Sequence, residues 1–77
     1  MKPGDIVKLE SVFSAPIPLY STWGNKEGGG DKTNGNIHPH EIGVVLETTE
    51  PRGGNGARIM VSGRIGWINL NFLENKT

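Results

Sequence analysis

The side chains best suited to chemistry lie near the middle of the chain. His38-Pro39-His40-Glu41 holds two imidazoles and a carboxylate within one tetrapeptide. In an extended chain His38 and His40 point to the same side, as two metal ligands do. Asp31 adds an oxygen donor if the preceding loop folds back. A closed zinc site takes four ligands, often with thiolate sulfur, and the chain has no cysteine. His38 and His40 are therefore secondary candidates for a metal, read first as ordinary loop residues. No cofactor is expected.

Gly28-Gly29-Gly30-Asp31-Lys32-Thr33 has the outline of a phosphate-binding loop. It departs where phosphate would sit: Asp31 stands before the lysine, and its carboxylate repels an anion. No helix follows to offer its N-terminal amides. The glycines are read as supplying backbone freedom. Acid–base work needs a pair of titrating groups held in a cleft. Glu41, Glu47 and Glu50 sit in no apolar setting that would tune them, and Ser11, Ser14, Ser21 and Ser62 have no histidine beside them. The chain is not expected to be an enzyme.

Binding residues are easier to name. Tyr20 and Trp23 flank a long polar stretch and could line a shallow groove for an extended or proline-rich peptide. Trp23, next to Gly24 and outside any alternating run, is the first choice for an exposed or interface aromatic. Trp67 and Phe72 are expected to pack in or against the core. Arg58 and Arg64, with Arg52, are the candidates for single-stranded nucleic acid, since a small barrel can combine aromatics with a local basic patch. The overall charge argues against a general nucleic-acid binder: eight Lys and Arg balance eight Asp and Glu. A neutral chain also meets no long-range repulsion from its own copies.

These residues must be positioned by one domain, since 77 residues do not suffice for two. No segment approaches the roughly 20 apolar residues of a membrane span, and no apolar stretch follows Lys2 as in a secretory signal. The expected setting is soluble and cytoplasmic, or the host cytoplasm or virion if the chain is viral. Twelve glycines and five prolines, in clusters, separate short runs of Val, Ile, Leu and aromatics, none long enough for a helix.

The runs read as strands. Asp5 to Glu10 places Val7 and Leu9 on one face. Ala15 to Ser21, with Pro16 and Pro18, reads as an edge or irregular strand anchored by Leu19 and Tyr20. Residues 24–39 read as a polar loop, with a hairpin around Asn34-Gly35 as the alternative. Glu41 to Thr49 places Ile42, Val44, Leu46 and Thr48 on one face, with Val44 and Leu46 expected inside. Ala57, Ile59 and Val61 share a face of the next run, antiparallel to it. Ser62-Gly63-Arg64 turns the chain into Ile65-Gly66-Trp67-Ile68. Asn69 to Leu73 reads as a tight turn of helix before a last short strand, with Leu70 and Leu73 closing one end. The fold class expected is all-β: five short strands curled into a small barrel.

Three segments resemble SH3-like barrels, especially bacterial-type SH3 domains. Gly4-Asp5-Ile6-Val7-Lys8-Leu9 looks like a first barrel strand. Ala15-Pro16-Ile17-Pro18-Leu19-Tyr20-Ser21 looks like the extended stretch that follows. Gly66-Trp67-Ile68, with Leu70 and Phe72-Leu73, is similar to the closing glycine–tryptophan signature and last strand. The resemblance covers almost all of the chain except residues 24–39. It implies a single SH3-like domain over residues 1–77, with a short 3-10 turn before the last strand and a glycine-rich inserted loop. It also implies a docking module, since such barrels attach to cell walls, peptides, nucleic acids or other subunits, and some are small structural proteins of phages. The expected function is non-catalytic protein interaction or structural assembly, in a phage-like accessory or virion component, through a protein partner or self-association. The alternative is a regulatory barrel that binds peptide or single-stranded nucleic acid.

Overall fold

Short apolar–polar alternations broken by glycine and proline leave the backbone little choice but strands. The computed structural model describes residues 1–23, 33–49 and 55–77. Its strands are β1 (Ile6–Leu9), β2 (Ile17–Tyr20), β3 (Thr33–Ile37), β4 (Gly43–Thr48), β5 (Gly56–Val61), β6 (Arg64–Asn69) and β7 (Leu73–Asn75). They form one antiparallel sheet in the order β3-β2-β6-β5-β4-β1-β7. Seven strands stand where five were expected, and among the described residues β3 and β7 are unpaired with each other, so the sheet is open at these edges.

The core shows how far the sheet curls. Val7, Leu9, Leu19, Val45, Ala57, Ile59, Val61 and Ile68 form one buried cluster with Ile37 from β3 and Leu73 from β7. Ile37 is 0% exposed and Leu73 is 5% exposed, although they lie on the two edge strands. A flat single layer would be thin in one direction, yet the Cα extents are nearly equal in all three, 28 × 25 × 24 Å, so the sheet curls round a single interior.

Several expectations match. β1 buries Val7 and Leu9, and β5 buries Ala57, Ile59 and Val61. β4 and β5 pair antiparallel. Ser62 (φ 49°) and Gly63 (φ 83°) both take the positive φ that a two-residue type I′ turn requires, closing β5 onto β6. A 3-10 turn at Leu70–Phe72 precedes β7, and the Asn69 side chain accepts from the Asn71 N–H at 2.8 Å. Leu70 and Phe72 pack against the core, and Phe72 meets Phe13 edge-to-face at 5.1 Å. Residues 24–32 and 50–54, the latter including Arg52, lie outside the described residues.

Two expectations are corrected, and one is resolved between its alternatives. Residues 33–37 are a strand, not loop, and Asn34-Gly35 lies within it rather than at a reversal. Ile37 draws this polar segment in by supplying a core side chain. β2 is the irregular strand rather than the edge: β3 and β6 flank it, its register shifts between Pro18 and Tyr20, and Tyr20 and Trp67 are its only aligned pair with β6. On β4 the buried face is that of Gly43 and Val45, while Val44 and Leu46 are half-buried. Both faces of this run carry apolar residues, and the register with β5 chooses between them: Val45 opposes the buried Ile59 and Val44 the exposed Met60. A bulge follows, since Glu47 opposes Arg58, so Leu46 is an extra residue and alternation breaks only beyond Val45.

The chain ends are stitched together beside β1. Lys76 N–H donates to Ile6 O at 2.6 Å, and Ile6 N–H donates to Thr77 Oγ1 at 2.7 Å. Asp5, 3% exposed, accepts from Lys2 N–H (3.0 Å), Lys2 Nζ (3.3 Å) and Asn75 Nδ2 (2.9 Å). The Lys2 backbone N–H, with the Lys2 ammonium and Asn75 behind it, holds the Asp5 carboxyl below its ordinary range although burial opposes this.

Candidate functional site

Opposed residues on neighbouring strands share a face, so the pairing register fixes what points outward. On β6 the inward residues are Gly66 and Ile68, which leaves Ile65 and Trp67 outside. Gly66 faces in because β2 crosses close above it: a Cβ there would stand 2.7 Å from Leu19 Cβ and 3.1 Å from the Tyr20 carbonyl oxygen. Leu19 enters the core, so Tyr20 points out and lies directly opposite Trp67. Across β6 and β5 the same row continues through Arg58 to Glu47.

Trp23 completes the cluster. Its ring stacks on Trp67 with centroids 6.4 Å apart and planes at 27°. It also lies on the backbone of Gly56, where a Cβ would come within 2.5 Å of its Cδ1 and Nε1. Gly56 has the outward parity of Arg58 yet is buried, so Trp23 caps it. Trp23 Nε1 is itself buried and has no acceptor among the described residues. A second outward row runs Ile65, Met60, Val44, Ile6 across β6, β5, β4 and β1, with Met60 41% exposed and Ile65 37% exposed.

The chain matches no family model, no curated protein and no solved structure.

Of the residues singled out from sequence, Tyr20, Trp23 and Arg58 come together around Trp67. Trp23 is half-buried, because Trp67 and Gly56 give it a seat. Trp67 is not a core residue: the buried cluster and the side chains packed on it do not include it. Its outward direction is the signal that sequence reasoning missed. It follows from Gly66 and Ile68 facing inward once β5 and β6 are aligned through the Ser62–Gly63 turn.

Arg58 pairs with Glu47 at 3.2 Å on the surface. Arg64 lies at the other end of β6 and ties segments together. Its Nε donates to Val61 O at 3.2 Å, its Nη1 to Asn36 O and its Nη2 to Glu41 Oε2. The other Glu41 oxygen accepts from His38 N–H at 2.9 Å. The His38 N–H first, then the Arg64 guanidinium, hold the Glu41 carboxyl below its usual range against partial burial. Both histidine side chains are exposed, and what His38 contributes here is its backbone. Among the described residues no group of three His, Cys, Asp or Glu could hold a metal, and Asp31 lies outside them. Among the described residues no helix is long and apolar enough to cross a membrane.

Proposed function

We propose that the chain is an SH3-like barrel that acts as a non-catalytic protein-docking module, with the outward cluster of Tyr20, Trp67 and Trp23 as its contact surface. The fold part of this reading is supported by the pairing of the first strand with the last, by the 3-10 turn before β7 and by the strongly curled sheet. The observation that carries the docking part is the gathering of both tryptophans and the single tyrosine outside the core. Large, rigid aromatics give much contact area for little lost side-chain freedom, and they dominate binding energy at protein interfaces. Arg58 supplies a polar rim beside them.

The test is paired affinity capture, with the wild-type chain and Trp67→Ala as baits, both checked for folding by circular dichroism. A partner retained stoichiometrically by the wild type and lost with Trp67→Ala supports the reading. A partner held equally by both, or none held by either, overturns it. A single-stranded oligonucleotide titrated at low and moderate salt is the control: binding that weakens steeply with salt moves the assignment to nucleic acid.

A further inference from the structure

Trp23 occupies its place at a cost visible in the geometry. The pyrrole edge of the indole rests on Gly56, so close that even a methyl group there would strike Cδ1 and Nε1. This edge carries the N–H, and in the seated position the N–H is buried and has no acceptor among the described residues. A buried donor without an acceptor loses the hydrogen bond it makes in water. The seat therefore fits a flat ring but not the polar atom this ring brings. Its floor is bare backbone at Gly56, and its wall is the face of Trp67. A phenyl ring would use the same floor and wall and leave no donor unsatisfied.

We propose that the seat over Gly56 and against Trp67 is a binding site for a phenylalanine side chain of a partner, and that Trp23 fills it only until that ring displaces it. The proposal rests on the docking reading and refines it. In the free chain Trp23 acts as a tethered competitor, present at high effective concentration. Its departure hydrates the N–H and opens the seat in one step. The partner's ring then meets Trp67 in the offset or edge-to-face geometry that aromatic pairs prefer.

The probe is N-acetyl-L-phenylalaninamide, with N-acetyl-L-leucinamide as the aliphatic control. Each is titrated into the wild type and into Trp23→Ala, read by the Gly56 amide shift and by Trp67 fluorescence, which is the only tryptophan signal in the variant. The expected result is binding to Trp23→Ala at least tenfold tighter than to the wild type, with the leucine analogue much weaker. Equal affinity for both chains, no Gly56 shift in folded Trp23→Ala, or equal response to leucine would overturn the proposal. Gly56→Ala gives a second, independent check if Trp23→Ala fails to fold. Its added methyl should expel Trp23, seen as a red-shifted indole emission, and should also block the probe. An indole that stays buried, or a probe that still binds, overturns the proposal as well. If a Trp67-dependent partner is captured but these arms fail, docking stands and displacement falls.

Discussion

Two arginines of similar sequence standing take different roles once their neighbours are known. Arg64 donates to two backbone carbonyls and a carboxylate, joining β6, β3 and the turn before β4. Removing it leaves acceptors unpaired in a partly buried place. Arg64→Ala should therefore cost about 1–3 kcal/mol, and Arg64→Lys should recover only part of this, because an ammonium cannot span the same acceptors. Arg58 and Glu47 form an exposed pair, with side chains 40% and 52% accessible. Arg58→Ala should change stability by under about 0.5 kcal/mol. Thermal melts separate the two: at this chain length 1 kcal/mol moves Tm by roughly 4–8 °C. Equal shifts would contradict the assignment of Arg64 as a tie.

The same scale governs the acid response. Asp5 and Glu41 both have folded-state carboxyls held below their ordinary range. A lowered folded pKa stabilises the native state above the unfolded pKa, and that contribution is lost as pH falls through the folded value. Stability should therefore decline as pH drops below the ordinary carboxylate range. Asp5→Asn and Glu41→Gln should each lower Tm at neutral pH and flatten its fall in acid. A Tm–pH curve for Asp5→Asn parallel to the wild type would show that the carboxylate cluster at the chain ends does not drive the response.

At the scale of elements, the sequence was legible where alternation runs unbroken. β5 shows its face through Ala57, Ile59 and Val61, and the Ser62–Gly63 turn fixes the register of β6. On β4 residue type does not choose the face, because Val44 and Val45 are both apolar and only the pairing of Val45 with Ile59 turns it inward; the Leu46 bulge beyond them also has no signature in residue type. β3 was hidden for another reason: Thr33, Asn34, Gly35 and Asn36 are polar and exposed, and only Ile37 reports burial. Size alone puts Trp67 in or against the core, while its direction depends on its neighbours. Val45→Ala should cost about 2 kcal/mol and Val44→Ala less than about 1, a contrast that urea denaturation resolves. The reverse order would restore the alternating face. Gly66→Ala should press on Leu19 and the β2 backbone, costing about 1–3 kcal/mol and shifting the Tyr20 ring resonances. An unchanged Tyr20 would mean that β2 does not depend on that close approach.

Over the whole molecule, stability depends on two open edges sharing one interior. β7 has only three residues, yet it supplies Leu73 to the core and covers β1. The residues after Leu73 add the Asn75 bond to Asp5, the Lys76 bond to Ile6 O and the Thr77 hydroxyl on Ile6 N–H. Deleting residues 73–77 would therefore uncover Val7 and Leu9 along one side and leave Asp5 short of a donor, all at the same end of the sheet. A domain this small has a margin of about 5–15 kcal/mol, and burying one leucine side chain already contributes some 2–5 kcal/mol of it by the cost of truncation. The deletion removes that leucine, a strand ladder and the cover on two further core side chains, so the remainder should lose its cooperative thermal transition. Near-ultraviolet circular dichroism from Trp23 and Trp67 gives the stricter reading, because both rings lie across the sheet from β7. If the interior is shared, their signal must vanish with the deletion although no residue near them is touched. A surviving tryptophan signal would mean that β2, β6 and β5 hold themselves together without β7.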